Sequence, residues 1–333
     1  MTPPRVLVAS DSFKGTFTAA QVADAVARGL ERTGVVADRC PVADGGEGTQ
    51  DALLAARGGG VVEAPAHDPL GRPLTASFAL LGDGRTAVVE TAAASGLPLL
   101  AAQERDPWAA STRGTGELIA AALDASAREL LVAVGGSATV DGGAGALDAL
   151  AELRPHGLGD ARLVMLCDVR TPWERCAEVY GPQKGADAAG VLRLAARLDA
   201  QAAALPRDPR GVPMSGAAGG LSGALWAAHG AELAAGAAYV LDAVGFDARL
   251  RGAAAVICGE GRLDAQSGEG KLVGEVARRA GEAGVPAIAL AGACVLEEAA
   301  WHALGLAEAA AASTLAELEA AGERIGRGLL TAI

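Results

Sequence analysis

The amino-acid sequence predicts an α/β fold with two domains, a Rossmann-like domain with a parallel sheet and a second α/β domain inserted into it. Three observations lead to this prediction. The chain opens with a βαβ pattern, in which strand-like runs at residues 6–9 and 35–42 flank a helical stretch. A hairpin pattern follows at residues 74–90, and antiparallel pairing so soon after a βαβ unit indicates a second domain. Apolar runs at residues 253–258 and 286–290 then resemble buried parallel strands.

The first helix has a defined start. Thr18 and Gln21 have the spacing of a capping box, in which each side chain bonds to the backbone of the other residue. Val22, Val26 and Leu30 then form an apolar stripe with a four-residue period. This pattern predicts a helix that covers one face of a sheet.

Later elements are predicted from similar patterns. Residues 74–80 alternate with the period of a half-buried strand, and the turn at residues 82–84 (GDG) leads into a second strand at 86–90. Further expected elements are a helix at 117–127, strands at 130–134 and 162–169, a helix at 273–282 and a final helix at 315–329.

Domain boundaries follow from this order of elements. Residues 1–60 together with 245–333 are predicted to form the Rossmann-like domain, and residues 61–244 the inserted mixed α/β domain. Ligands of open α/β sheets bind outside the carboxyl ends of the strands. We therefore expect the active site in the cleft between the two domains.

Composition narrows the class of protein. The 333 residues carry a formal net charge of −12, which argues against a nucleic-acid partner because phosphate backbones are bound by clustered Lys and Arg. No apolar stretch reaches the roughly 18 residues of a membrane span, and the N-terminus shows no signal-peptide pattern. The five cysteines form no CxxC pair. A cytoplasmic protein that binds small molecules is expected.

Glycine-rich or acidic loops carry the candidate chemistry, and most of them follow a predicted strand. They are residues 11–15, 43–48, 135–143, 167–169, 181–185 and 259–264. Two generic nucleotide motifs fail here. Lys271 is followed by Leu272 instead of the Ser or Thr of a P-loop, and Asp264 stands where a dinucleotide fingerprint needs its third glycine. The four histidines show no metal-ligand spacing, and no GxSxG motif occurs.

Lysines, carboxylates and backbone amides therefore remain as the reactive groups. They suit phosphoryl transfer, which depends on charge neutralisation, Mg²⁺ and positioning more than on a strong nucleophile. Gly-Gly turns expose backbone N–H groups that can hold phosphate oxygens, and carboxylates are suitable ligands for Mg²⁺.

Seven segments that contain these loops resemble those of a known protein family, and they occur in the same order along nearly the whole chain. They are SDSFKG at residues 10–15, ADGGEGT at 43–49, DPLG at 68–71, GGSAT at 135–139, GPQKGA at 181–186, GAAGG at 216–220 and GEGRLDAQ at 259–266. Together they resemble the bacterial type I glycerate kinases. The resemblance implies phosphorylation of D-glycerate by ATP with Mg²⁺. It favours 2-phosphoglycerate as the product, with 3-phosphoglycerate as the alternative.

Candidate catalytic residues are named on this basis. Asp168 ends an apolar strand, where an unpaired carboxylate is costly unless it serves a ligand, so it is the first choice for the base or a Mg²⁺ ligand. Asp264 and Glu260 are its rivals. Asp44 is the second metal candidate and could instead cap the following helix. Lys14 precedes a helix and could meet the substrate carboxylate or the ATP phosphates.

The other candidates are substrate- or phosphate-binding residues. Lys184 and Lys271 could neutralise the transferred charge, and Arg72 near Asp68 could bind the glycerate carboxylate through two hydrogen bonds. The remaining members of this group are Asp11, Ser12, Gly45, Gly46, Glu47, Gly135, Gly136, Ser137 and Thr139.

Three other functions stay open at this stage. A kinase for another small hydroxy or sugar acid would share most of these loops. A nucleotide- or metabolite-binding regulator without turnover would be expected to lack the loop acids and lysines, which are present. An NAD(P)-linked oxidoreductase is disfavoured by the incomplete glycine fingerprints.

Overall fold

The computed structural model describes residues 3–264, 267 and 271–331. Alanine 265 and glutamine 266, the end of the GEGRLDAQ segment, lie outside the described residues. The strands are β1 (Arg5–Ser10), β2 (Val36–Arg39), β3 (Gly59–His67), β4 (Pro73–Leu81), β5 (Thr86–Glu90), β6 (Glu129–Ala133), β7 (Arg162–Cys167), β8 (Glu232–Ala235), β9 (Ala255–Leu263), β10 (Ala287–Cys294) and β11 (Leu306–Ala311).

Helices connect most of these strands. They are α1 (Ala19–Glu31), α2 (Thr49–Arg57), α3 (Ala92–Ser95), α4 (Arg113–Asp124), α5 (Ala144–Leu153), α6 (Cys176–Tyr180), α7 (Ala188–Ala204), α8 (Leu221–His229), α9 (Gly236–Ala243), α10 (Phe246–Leu250), α11 (Leu272–Ala283), α12 (Glu298–Ala303) and α13 (Leu315–Thr331). Among the residues described, no helix is both long enough and apolar enough to cross a membrane.

The chain forms two compact units, each with its own sheet. Unit 1 contains the described residues up to Asp44 and from Ala237 onward, and unit 2 contains Gly45–Gly236. In unit 1 the strand order is β11-β10-β9-β1-β2, and every neighbouring pair is parallel. Counted within the unit, this is the flavodoxin-like doubly wound order, whose ligand crevice lies where the order reverses, between β1 and β9.

Helix α1 is formed as its sequence pattern predicts. The Thr18 side chain accepts a hydrogen bond from the backbone N–H of Gln21, and the Gln21 side chain accepts one from the backbone N–H of Thr18. Val22, Val26 and Leu30 are buried in the core of unit 1. The predicted capping box, apolar stripe and βαβ start are thus confirmed.

Unit 2 is built on a mixed six-stranded sheet in the order β3-β4-β5-β6-β7-β8. Strands β3, β4 and β5 pair antiparallel, and β5 to β8 run parallel. The predicted hairpin is therefore β4–β5. The core of unit 2 consists mainly of Ala, Val and Leu, together with Phe78 and Ile119.

The compact units divide the chain earlier than the predicted domain boundaries at residues 60/61 and 244/245. Helix α2 packs against β4 and β5, which places residues 49–57 with the sheet of unit 2. Arg279 on α11 donates hydrogen bonds to the Asp242 carboxylate (2.6 Å) and the Ala238 carbonyl (3.2 Å), which places α9 with unit 1. Sequence composition carried no sign of these long-range contacts.

Glycines let α1 and α13 approach closely in unit 1. A Cβ atom on Gly322 would lie 2.3 Å from the Val26 carbonyl oxygen, and one on Gly29 would lie 1.9 Å from that of Glu319. Both distances are far below van der Waals contact. Alanine at either position would therefore separate the two helices.

We predict that Gly322→Ala destabilises the protein, because the gain in helix propensity is outweighed by overpacking that costs about 1–3 kcal/mol. Gly328→Ala is the matched control, since Gly328 lies in the same helix with no atom near its added Cβ. It should stabilise by about 0.5–1 kcal/mol. Chemical denaturation measures both, and a stabilising Gly322→Ala would contradict the described packing.

Candidate active site

Unit 1 contains a cavity of about 540 Å³ at the carboxyl ends of its central strands. It lies at the β1/β9 reversal of strand order, where doubly wound sheets bind ligands. The charged and hydroxyl-bearing residues that line it are Asp11, Ser12, Lys14, Thr16, Asp44, Glu260, Arg262, Asp264, Lys271 and Ser313. Six charged residues that the sequence named as candidates therefore line one cavity: Asp11, Lys14, Asp44, Glu260, Asp264 and Lys271.

Asp11 is the most deeply buried carboxylate in this cavity. It directly follows β1, its backbone N–H donates to the Gly259 carbonyl (2.9 Å), and its Oδ1 accepts from the Ser12 N–H (2.6 Å). Burial raises the pKa of Asp11 well above its usual value, and the negative charge of Asp44 raises it further, against the opposing charge of Lys14. The cavity therefore concentrates negative charge that a cation would relieve.

Lys14 provides one such cation. It lies in the tight turn closed by the Phe13–Phe17 bridge, and its Nζ is 3.5 Å from the Asp44 carboxylate. The Lys14 side chain is 53% exposed, whereas that of Asp44 is 6% exposed. The ammonium group therefore reaches into the cavity from the solvent side and can contact an anionic ligand.

Glu260 carries an oxygen suited to a metal ion. Its Oε1 is buried and accepts no hydrogen bond from any residue that the structure describes. Burial raises the pKa of Glu260, although a hydrogen bond from Ser267 and the charge of Lys271 oppose this shift. Within the described residues no cluster of three or more His, Cys, Asp or Glu could hold a metal by itself. The donors fit Mg²⁺, which takes one or two carboxylates and completes its shell with water and phosphate oxygens.

In unit 2, a group of acidic and glycine residues lies at the carboxyl ends of adjacent parallel strands. Glu90 ends β5, Gly135 follows β6 and Asp168 follows β7. The segment after Asp44 crosses these ends, since the Gly135 N–H donates to the Gly45 carbonyl (3.4 Å). A Cβ atom on Gly135 would lie 2.6 Å from the Gly46 Cα. Glycine is therefore required for the two loops to meet.

Lys184 is placed differently from an exposed phosphate-binding lysine. It is only 3% exposed, and its Nζ donates to Ser137 Oγ (2.9 Å) and the Thr139 carbonyl (2.8 Å). The ammonium group thus lies beneath the 135–139 loop and holds it in place.

Asp68 and Arg72 form a separate network after β3. The Arg72 guanidinium donates to the Asp68 carboxylate and to Glu104 Oε1 (2.7 Å). Backbone N–H groups of Leu70 and Arg72 also donate to Asp68, so the pKa of Asp68 is lowered although its burial opposes the shift. Arg72 already has two carboxylate partners, and a glycerate carboxylate would have to compete with them.

Sequence reasoning missed Glu90. Its Oε1 accepts from the Gln50 N–H (2.8 Å) at the start of α2, which fixes the segment that carries Glu47. Burial raises the pKa of Glu90 to about 7, and the charges of Asp51 and Glu47 contribute in the same direction while backbone N–H donors oppose them. Glu90 lies at the end of an apolar strand, as Asp168 does, and this position in the sequence could have identified it as a candidate.

A second signal lies in the choice of basic residue. The chain has 28 Lys and Arg, of which only three are lysines: Lys14, Lys184 and Lys271. Arginine makes the surface ion pairs, and all three lysines lie in the motif loops or at the cavity. Lysine acts as a compact point charge for phosphate, whereas arginine suits fixed ion pairs.

Comparison with known proteins gives the family. The family model described as the glycerate kinase family matches residues 6–154 and 151–331. The chain belongs to the glycerate kinase family. A protein named glycerate kinase from Bacillus subtilis (strain 168) is 40% identical over 326 residues, covering 86% of this chain and 85% of that protein.

Two further glycerate kinase relatives agree. A protein named glycerate 2-kinase from Escherichia coli (strain K12) is 38% identical, with 86% of this chain and 85% of that protein covered. The crystal structure of a Salmonella typhimurium LT2 protein, provisionally described as glycerate kinase 2, matches with a TM-score of 0.84 and 32% identity over 99% of each chain. The resemblance and the α/β fold class are confirmed; the individual residue roles stay predictions.

We predict that Glu90 makes stability depend on pH. Its pKa is about 7 in the folded protein and 4.5 as a free group, so the folded state binds the proton more tightly. The free energy of unfolding should therefore fall as pH rises from 4.5 to 7, by up to about 3 kcal/mol.

Glu90→Gln should remove this part of the pH dependence, and the exposed Glu63→Gln should leave it unchanged. Chemical denaturation below and above that interval measures the difference for each protein. An identical pH slope in Glu90→Gln and the parent chain would rule out a raised pKa at this position.

Proposed function

We propose that this protein transfers the γ-phosphoryl group of ATP to D-glycerate, with 2-phosphoglycerate favoured over 3-phosphoglycerate. Membership of the glycerate kinase family and the relatives named glycerate kinase and glycerate 2-kinase support the reaction. The main structural support is the unit 1 cavity, in which carboxylates and lysines lie together where the strand order reverses between β1 and β9. That combination suits a triphosphate bound with a divalent cation.

The roles in unit 1 follow from its charges. Asp44 and Glu260, with Asp11 beside them, would hold Mg²⁺, which neutralises phosphate charge when bound. Lys14 and Lys271 would bind anionic oxygens of ATP, because ammonium groups act as point charges for phosphate. Asp264 is held 3.5 Å from the Arg262 guanidinium and remains the alternative carboxylate for proton transfer.

The roles in unit 2 concern the acceptor. Asp168 would accept or orient the proton of the attacking glycerate hydroxyl, since a base within hydrogen-bond reach is what this step requires. Backbone N–H groups and Ser137 of the 135–139 loop would bind anionic oxygens. Asp68 with Arg72 would contribute to recognition of the glycerate carboxylate.

The reaction is tested by NMR of the product formed from D-glycerate and ATP. A ³¹P resonance coupled to the proton on C2 would identify 2-phosphoglycerate, and coupling to the C3 protons would identify 3-phosphoglycerate. If ATP and D-glycerate remain unchanged, the proposed activity fails and a regulatory role without turnover becomes the better explanation.

We predict that Asp168→Asn lowers kcat about 10²–10⁴-fold with little change in folding, because the amide cannot accept the hydroxyl proton. Asp160→Asn, at an exposed loop position of the same unit, is the control and should keep full turnover. Steady-state kinetics with thermal unfolding measures both. Near-normal turnover of Asp168→Asn would transfer the role of base to Asp264 or Asp44.

We predict that Glu260→Gln weakens binding of Mn²⁺, used as a probe for Mg²⁺ in the presence of ATP, by about tenfold or more, equal to about 1.4 kcal/mol. Electron paramagnetic resonance of free and bound Mn²⁺ measures this without reference to activity. Glu282→Gln is the control, since that side chain is 67% exposed on α11. Equal Mn²⁺ affinity in all three proteins would remove Glu260 from the metal site.

The cytoplasm is the proposed location. The five cysteines are all free, and four of them are buried, as in proteins kept under reducing conditions. ATP as phosphoryl donor points to the same compartment.

A further inference from the structure

The buried ammonium group of Lys184 has a defined set of partners. Two of its hydrogen bonds go to Ser137 Oγ (2.9 Å) and the Thr139 carbonyl (2.8 Å), and its Nζ lies 5.7 Å from the centroid of the Tyr180 ring. At 3% exposure it has no room for direct contact with a bulky phosphate. Any effect of Lys184 on a ligand must therefore pass through the loop above it.

The hydrogen-bond chemistry of Ser137 determines what that effect is. A lysine ammonium can only donate, so Ser137 Oγ must accept from it. The hydroxyl proton of Ser137 then points elsewhere, and Ser137 Oγ donates no hydrogen bond to another side chain or carbonyl among the residues that the structure describes. Ser137 is 5% exposed in the loop after β6. In the same loop Thr139 Oγ1 is also buried without a partner in the described part of the chain.

We infer that Lys184 is a positioning residue that acts through Ser137: its ammonium group directs the Ser137 hydroxyl proton toward an anionic oxygen of a bound substrate and strengthens that hydrogen bond with its charge. A hydroxyl that accepts from a cation is a stronger donor, because each bond in such a chain polarises the next. The anionic oxygen belongs either to a phosphate of ATP or to the carboxylate of glycerate. This inference rests on the proposed function and adds Lys184 and Ser137, as a pair, to the residues that serve it.

The charges around Lys184 define its working pH. Burial lowers the pKa of Lys184 to about 8, while the nearby Cys176, Asp141 and Asp168 oppose the shift. The ammonium form is therefore present below about pH 8 and is lost above it. Once neutral, the amine can accept the Ser137 proton instead of directing it outward. Substrate binding or turnover should then decline on the alkaline side.

The test is a double-mutant cycle on the full chain with Lys184→Met, Ser137→Ala and the double variant. Both single variants should lower kcat/KM about tenfold or more, and the double variant should lose no more than the worse single one, because the two residues act as one device. A raised KM for ATP assigns the oxygen to a phosphate, and a raised KM for glycerate assigns it to the carboxylate. Additive losses would overturn the inference.

A pH profile covers the case in which Lys184→Met does not fold. The parent chain should show an alkaline fall in kcat/KM with a midpoint of about 8, set by Lys184. Lys184→Arg keeps its charge and should lack this fall. Ser137→Ala should also lack it, because the hydroxyl through which Lys184 acts is absent. An unchanged alkaline fall in Ser137→Ala would overturn the inference.

Arg175→Met is the matched control for loss of one positive charge. Arg175 is 58% exposed, and its side chain pairs with Glu178 three residues further along the chain (3.1 Å). Its kinetics and pH profile should equal those of the parent chain. A parent chain without glycerate-dependent ATP consumption would refute the proposed function itself, whereas an active parent with additive variants refutes only the role of Lys184.

Discussion

Negative charge gathered at the β1/β9 reversal is the constraint on which the chemistry of unit 1 depends. Asp11 and Asp44 are buried, and Glu260 lines the same cavity with a buried oxygen that has no partner among the described residues. Carboxylates in such a position disfavour one another and lose hydration, which is why burial and Asp44 raise the pKa of Asp11. Lys14 relieves part of this charge, and a phosphate-bound divalent cation would relieve the rest.

In unit 2, charged side chains that are removed from solvent have hydrogen-bond partners within the unit itself. At the carboxyl ends of β5, β6 and β7 lie a half-buried carboxylate, Glu90, and a glycine loop above the buried cation Lys184. Glu90 is satisfied by backbone N–H groups at the start of α2, and Lys184 by Ser137 and Thr139. Glu90 and Lys184 therefore each hold a loop in place, so that rigid strand ends can present backbone groups to a ligand.

Local patterns in the sequence were sufficient for much of the fold. The capping box at Thr18, the β4–β5 hairpin and the strand before Asp168 all depend on neighbouring residues, and all are present. Strand β3 was not predicted, because its nine residues begin with two glycines and contain Pro65, which are poor strand signals. The compact-unit boundaries depend on long-range contacts such as Arg279 with Asp242, which leave no local trace.

The candidate site divides in the same way. The motif loops that carry Asp11, Asp44 and Glu260 line one cavity, because strand ends of a parallel sheet share an edge. The burial of Lys184 and the pairing of Arg72 with Asp68 and Glu104 could not be read from composition, since a loop lysine or arginine looks the same in sequence whether exposed or paired. Only the three-dimensional partners separate a phosphate-binding cation from one that orders a loop.

On the proposed function, the surplus carboxylate of the unit 1 cavity is matched to metal-bound phosphate. Calorimetric binding of ATP to the parent chain and to Asp44→Asn, each with Mg²⁺ and with a chelator, tests it most directly. We expect opposite effects: Asp44→Asn should weaken binding of Mg²⁺–ATP, because a ligand is lost, and should tighten binding of metal-free ATP, because repulsion is reduced. A change of the same sign in both conditions, or ATP binding indifferent to Mg²⁺, would contradict it.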